Sequence, residues 1–293
     1  MPFQFLTGKN DDISRLLGVQ DSSKITPLTG GRNSFAFRVG NFVVRFPKNA
    51  DVWSHQKQEA ELLTFIRQRI SPKEQNKIPN ITCKVQEKYP FTIHPFIAGK
   101  TCNQGTNESI FYAALSPTNQ TRLARELATF LSELHQIQCE GKLPKASDEW
   151  LIPFKTEFDF NLVRDYLLKT KAIDLLNFQT DISVNEKGLI HKDLSGSNIL
   201  LSPDSRSVLN GIIDFGAAGI GPKICDFIPL YKISRKLARE TIEIYNTLSP
   251  TSVSLKEADY LALCYVGYYL QKSKSPSKYL TGILDCLITD LLQ

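Results

Sequence analysis

The chain has 293 residues, enough for about two domains of ordinary size and for a core that needs neither disulfide nor metal. Apolar residues make up 42% and charged residues 22%, which excludes a disordered chain. Lys and Arg number 35 against 30 Asp and Glu, a net charge of +5, too mild for the clustered basic surface of a nucleic-acid reader. The six cysteines, Cys83, Cys102, Cys139, Cys225, Cys264 and Cys286, form no CxxC pair. Neither a structural zinc site nor a disulfide scaffold is expected, and scattered thiols suit a reducing cytosol. The opening MPFQFLTGKNDD has no basic n-region and no apolar h-region. No apolar run approaches the roughly 18 residues of a membrane span. A cytoplasmic chain with neither nucleic acid nor membrane as partner is expected.

In chain order, residues 25–47 read as strands: a Gly30-Gly31 turn, alternating Phe35, Phe37 and Val39, a Gly40-Asn41 turn, then Phe42 to Phe46. Two apolar-rich runs joined by Gly-Asn predict an antiparallel hairpin. Residues 54–70 carry Leu62, Leu63, Phe65, Ile66 and Ile70 at helical spacing. Residues 81–97 return to strand character. From Thr121 to Ile137 the apolar positions Leu123, Leu127, Phe130, Leu131 and Leu134 predict a strong amphipathic helix. Residues 157–178 and 230–293 read as mostly helical, with LALCYVGYYL (261–270) as a buried helix. The short strands GLIH and NGIIDFG lie between them. The fold class is α+β and bilobal. A small antiparallel-sheet N-lobe with one key helix fills 1–98, a larger helical C-lobe fills 99–293, and a hinge falls at about 94–99.

The chemistry concentrates in LIHKDLSGSNILL (189–201) and GIIDFGAAG (211–219). The first holds His191, Asp193 and Asn198 as H-x-D-x-x-x-x-N; the second holds Asp214, Phe215 and Gly216. Phosphoryl transfer from a nucleotide needs a carboxylate to orient and deprotonate a hydroxyl, and oxygen ligands to hold magnesium against the phosphates. Asp193 suits the first role, Asn198 and Asp214 the second, because magnesium takes hard oxygens and keeps several waters. The flanking Asn-Ile-Leu-Leu and Gly-Ile-Ile-Asp segments are able to pair as a hairpin. By average residue usage the first spacing alone arises by chance in about one per cent of such chains. An apolar strand and Asp-Phe-Gly shortly downstream make coincidence negligible.

These motifs resemble the aminoglycoside phosphotransferase family within the protein-kinase-like superfamily. His191-Lys192-Asp193 stands where kinases read H-R-D. The family run I-D-F-G-x-x-x-x-G-D-P-x-x-D appears as IDFGAAGIGPKICD, ending in register at Asp226, with Pro222 and Lys223 in place of Asp-Pro. The resemblance implies a bilobal kinase-like fold and transfer of the γ-phosphate of ATP or GTP, with Mg2+, to a small hydroxylated acceptor. It implies that Gly30, Gly31, Asn33 and Ser34 cover phosphates. Arg45 is expected where the fold places its phosphate-pairing lysine, with Lys48 as a substitute. Glu59 is the expected partner of that cation, since Glu61 faces another side of the helix. The backbones of His94 and Phe96 are expected to meet the nucleotide base. His191 is expected to tie its loop to Asp-Phe-Gly, and His135 to pack or cap a helix end. A protein kinase or a nucleotide-binding pseudokinase is the alternative.

The stretch after Phe227 carries Lys232, Arg235, Lys236 and Arg239 against Glu240 and Glu243. Helical spacing puts Lys232, Arg235 and Arg239 on one face. A wall of that charge disfavours a polycationic acceptor and favours a neutral or anionic alcohol.

Overall fold

The computed structural model describes residues 10–18, 25–28, 33–102, 110–139, 186–202, 208–272 and 282. The predicted helical stretch 157–178 and the Gly30-Gly31 pair lie outside them. The chain divides into two compact units. One is built from the residues up to Ala98 together with Ile213–Gly216, the other from Gly99–Ile212 and the residues from Ala217 on.

The first unit opens with α1 (Asn10–Leu17), β1 (Ile25–Leu28), β2 (Ser34–Val39) and β3 (Phe42–Pro47). It continues with α2 (Ala50–Arg67), α3 (Pro72–Gln75), β4 (Thr82–Gln86) and β5 (Tyr89–Pro95). The five strands form one antiparallel sheet in the order β1-β2-β3-β5-β4. The expected hairpin is β2–β3, with Val39 opposite Phe42 and Gly40 at φ +58° in the turn. Period-two alternation sends Val44 and Phe46 to one face, where they pack with Phe37, Phe91, Ile25 and the Ile13 and Leu16 of α1. Arg45, between them, is thereby turned to the opposite face, the one that meets α2. Each fully buried Leu, Ile or Phe contributes about 1.5–3 kcal/mol.

Helix α2 starts at Ala50, earlier than the expected Ser54. Asn49 is extended there and its side-chain oxygen accepts from Val52 N at 2.9 Å, an N-cap that satisfies one of the helix's unpaired amides. Asp51 in the first turn adds a favourable charge at the positive end of the helix dipole. The buried face of α2 runs Trp53, Gln56, Glu59, Ala60, Leu62, Leu63 and Ile66, a helical stripe against β3, β4 and β5.

The second unit holds β6 (Lys100–Thr101), α4 (Ile110–Ala113), α5 (Pro117–His135), β7 (Lys187–Ile190), β8 (Ile199–Leu201), β9 (Leu209–Ile212) and β10 (Gly219–Pro222). Single 3-10 turns then lead to α6 (Arg235–Leu248) and α7 (Leu255–Lys272). Helix α5 begins four residues before the expected Thr121, because Ser116 caps it and Pro117 occupies its first turn. Its stripe is as expected: Leu123, Leu127, Phe130, Leu131 and Leu134 are all fully buried. That stripe packs on α6, which buries Leu237, Ala238, Thr241, Ile242 and Tyr245. In α7 residues 261–266 are buried, as expected for that apolar run. Strands β8 and β9 pair antiparallel, Ile199 opposite Ile212, which is the hairpin the sequence suggests. Among the described residues no helix is long and apolar enough to cross a membrane.

Candidate active site

In the first unit the sheet and α2 bring a cation and a carboxylate together. Arg45 Nη1 donates to Glu59 Oε2 at 2.9 Å. Glu59 is 3% exposed, whereas Glu61, two positions on, is exposed, so the helix selects between them as expected. The other Glu59 oxygen, Oε1, accepts the backbone amide of Phe215 at 3.2 Å. Burial raises the Glu59 pKa above the usual carboxylate range, against the opposing pull of Arg45. The ammonium of Lys48 lies 5.1 Å from the centre of the Phe35 ring, a cation–π contact, while its backbone amide donates to Asn33 O. Arg45 is thus the cation that Glu59 holds.

Asp214, next to Phe215, sits at φ +66°, a left-handed conformation uncommon outside glycine and best tolerated by aspartate and asparagine. Ser34, at the start of β2, is buried, and its hydroxyl accepts from Gln56 Nε2 at 2.9 Å. Gln56 lies one turn before Glu59 on α2, and sequence reasoning missed it, because a lone glutamine in a helix carries no pattern. Asn33 precedes Ser34 on the exposed surface. His94 is buried; its Nδ1 donates to Pro95 O at 2.9 Å and burial lowers its pKa. Phe96 donates its amide to Asn41 O at 2.8 Å. Its backbone contribution to a bound base therefore narrows to the carbonyl. Arg38 covers the Phe96 ring at 4.1 Å.

In the second unit the loop between β7 and β8 carries the other motif residues. Asn198 Nδ2 donates to the backbone carbonyl of Asp193 at 2.8 Å and to its Oδ2 at 3.1 Å. Both bonds use the amide nitrogen, which leaves Oδ1 as the group's free ligand atom. Lys192 lies at φ +71°. Its amide donates to Asp226 Oδ1 at 2.6 Å, and that of His191 to Asp226 Oδ2 at 2.8 Å. Asp226 is wholly buried and so clamps the strained backbone just ahead of Asp193. The His191 ring accepts the Asp193 amide at Nδ1, 3.3 Å, so it braces its own loop. His135, expected to pack or cap, is buried and packs against Phe227 and Tyr245, and it also bonds Asp226 Oδ2 through Nε2 at 3.0 Å. Pairing across 91 residues leaves no local trace in sequence.

The cations after Phe227 are arranged otherwise than expected. Lys232 lies on a 3-10 turn ahead of α6, not on the helix, with its ammonium 5.8 Å from the Tyr265 ring centre. Arg239 is bound to Asp259, which also accepts from Tyr231 Oη. Lys236 reaches Gln120 at 3.2 Å and Glu240 at 3.8 Å. Much of the local positive charge is therefore neutralised in place, which weakens the argument against a cationic acceptor.

A family model described as the phosphotransferase enzyme family matches residues 24–249. Among solved structures, the chain is similar to the GDP complex of wild-type aminoglycoside 2'-phosphotransferase-IIIa, at 21% identity and a TM-score of 0.66, covering 98% of this chain and 99% of that one. It is similar to the streptomycin–ATP ternary complex of APH(2")-IIa at 20% identity and a TM-score of 0.61, covering 95% and 94%. It is also similar to the macrolide 2'-phosphotransferase MphH of Brachybacterium faecium, at 14% identity and a TM-score of 0.58, covering 96% and 95%. These likenesses establish the α+β, protein-kinase-like fold.

Proposed function

Since the chain belongs to the phosphotransferase enzyme family, we propose that it moves the γ-phosphate of ATP or GTP to a hydroxyl of a small molecule. The observation that carries this reading is the Asp193–Asn198 pair, held by two hydrogen bonds from one amide on a loop whose backbone Asp226 fixes. Asp193 orients the acceptor hydroxyl and takes its proton as the oxygen attacks phosphorus. Arg45, oriented by Glu59, supplies a planar, permanently charged fork to the nucleotide phosphates in place of the usual lysine. Asn33 and Ser34, with Gly30 and Gly31, cover those phosphates. The backbone of His94 and the carbonyl of Phe96 meet the base.

Asn198 Oδ1 and the Asp214 carboxylate are hard oxygen donors, a set that fits Mg2+ and would not favour a soft metal. When bound, the ion neutralises charge on the phosphates. Asn198 keeps its ligand oxygen available because its nitrogen is occupied by Asp193.

The acceptor is a small hydroxylated compound, an antibiotic or a neutral or anionic metabolite. The reading places the enzyme in the cytoplasm, where its nucleotide is abundant. Relatives hold GDP in one case and ATP in another, so both nucleotides enter the test. Nucleotide consumption is measured against sugars, aminoglycosides, macrolides, amino alcohols and nucleosides. Acceptor-stimulated release of nucleoside diphosphate is expected, with a fall of roughly 10²-fold or more in Asp193→Asn and little change in nucleotide binding. Near-full turnover in that variant would overturn the assignment.

A further inference from the structure

Behind the Asp193 loop lies a run of buried polar groups that the transfer itself does not touch. His135 bonds Asp226 through Nε2, and its Nδ1 lies 3.0 Å from Tyr245 Oη. The side chains of His135, Asp226 and Tyr245 are all fully buried. Tyr245 is in the last turn of α6, and its carbonyl accepts the amide of Ser249 at 2.8 Å. The hydroxyls of Ser249 and Thr251 stand within reach of the Tyr245 phenol. Thr251 in turn accepts from Lys223 Nζ at 2.7 Å. Lys223 occupies the position where the resemblance leads one to expect proline, and it is buried with its head held between Thr251 and, at 3.4 Å, Glu186.

The direction of the hydrogen bonds follows from the groups involved. Each Asp226 oxygen already accepts a backbone N–H, so the imidazole nitrogen facing it donates. Nε2 therefore carries the hydrogen. In a neutral imidazole Nδ1 is then an acceptor, and the Tyr245 hydroxyl donates to it. The phenol oxygen accepts from Ser249 or Thr251. Edge-on packing of His135 on Tyr245 (5.4 Å between ring centres) and on Phe227 (6.0 Å) holds the ring plane. The Asp226 carboxylate sets the Nε2–H tautomer, and the Tyr245 hydroxyl, donating to the acceptor that remains, holds the ring against turning out of that bond.

We propose that Tyr245 is a positioning residue for the transfer. By donating to His135 Nδ1 it holds the ring whose Nε2–H binds Asp226, and through Asp226 it holds the backbone of His191 and Lys192 that aims Asp193. The kinetic part of this proposal rests on the phosphotransferase reading; the hydrogen-bond part does not.

Two measurements on the full chain test it. Long-range nitrogen–proton NMR correlations on the histidine rings, four in this chain, show which nitrogen carries hydrogen, with His135→Gln identifying the His135 signal. The wild type is expected to show Nε2–H with Nδ1 shifted as a hydrogen-bond acceptor, and Tyr245→Phe to lose that Nδ1 shift while keeping Nε2–H. Hydrolysis of magnesium ATP or magnesium GTP, with water as acceptor, gives the kinetics. Tyr245→Phe is expected to lower kcat about tenfold with KM within about twofold. Glutamine at 135 offers an N–H donor without the Nδ1 that Tyr245 bonds, so Tyr245→Phe added to His135→Gln is expected to change kcat by less than about twofold. An Nδ1–H wild type, an unchanged Nδ1 signal in Tyr245→Phe, or an equal fall in kcat in both backgrounds would overturn the proposal. A wild type that hydrolyses and transfers nothing would sink the phosphotransferase reading, while the spectra still decide the tautomer. Should Tyr245→Phe fail to fold, the wild-type Nδ1 signal decides whether Tyr245 donates to it, and the kinetic arm passes to Thr251→Val, expected to lower kcat more than twofold in the wild type and less than twofold once His135 is glutamine.

Discussion

Arg45 and Glu59 are 14 residues apart in sequence and 2.9 Å apart in space, one on the middle strand of the first unit's sheet and one on its long helix. The pair is unequal: the Arg45 side chain is 23% exposed, that of Glu59 only 2%. The carboxylate is the member that cannot tolerate losing its partner.

Removing Arg45 is therefore expected to cost more than removing both. Arg45→Met should destabilise by about 3 kcal/mol, because it strands a buried carboxylate. Arg45→Met combined with Glu59→Gln should recover a large part of that loss. Urea unfolding of both variants checks the cycle; strictly additive losses would contradict the coupling.

The same burial sets a pH dependence. Glu59 binds its proton more tightly in the folded than in the unfolded chain, since burial raises its pKa. Its contribution is thus full below the unfolded value of about 4.3 and declines as pH rises through the folded value. Glu59→Gln cannot titrate and lacks this slope. Thermal unfolding from about pH 4 to pH 7 should show the wild type losing stability relative to Glu59→Gln as pH rises; the opposite trend would refute the direction.

Asp214 stands at φ +66°, so alanine there confounds strain with lost chemistry. Asparagine tolerates that conformation and removes only the charge. Asp214→Asn is expected to weaken magnesium-dependent nucleotide binding by about tenfold or more, with little change in Tm. Calorimetry with and without magnesium is the check; an unchanged metal dependence would exclude Asp214 as a ligand.

Gly99 has φ +153°, and a Cβ there would lie 2.7 Å from the carbonyl oxygen of Leu201. Backbone cannot yield as a side chain would. Gly99→Ala is expected to cost about 3 kcal/mol, roughly 6–12 °C in Tm. Gly18, at φ +65° with nothing within 4 Å, is the control: its alanine variant should cost about 1 kcal/mol, from the left-handed backbone alone. Equal losses in a thermal scan would show that the close approach to Leu201 carries no weight.

What the sequence made legible was local. The Gly40-Asn41 turn, the apolar stripe of α5 and the H-x-D-x-x-x-x-N spacing each lie within one or two elements, where periodicity and turn chemistry act directly. The starts of α2 and α5 were misplaced by a turn because Asn49 and Ser116 cap them ahead of any apolar pattern. Glu59 was legible through helical phase, since only one of two nearby glutamates turns inward. The His135–Asp226–Tyr245 bonds were not, because tertiary packing alone brings together residues that no spacing relates. The charge argument after Phe227 was weakened for the same reason. Counting cations on α6 could not reveal that Asp259, on another helix, neutralises Arg239.

Ile213–Gly216 belongs to the first unit although the chain on either side belongs to the second. During synthesis the ribosome releases α2 long before it releases Phe215. Until Gly99–Ile212 has been made, Glu59 has no Phe215 amide for its inner oxygen, and the nascent first unit lacks the segment that bonds it. An N-terminal fragment ending at Ala98 inherits that defect permanently. A peptide spanning 213–216 supplied in trans would have to find the site without a tether, which makes this unit a poor candidate for expression as a separate module.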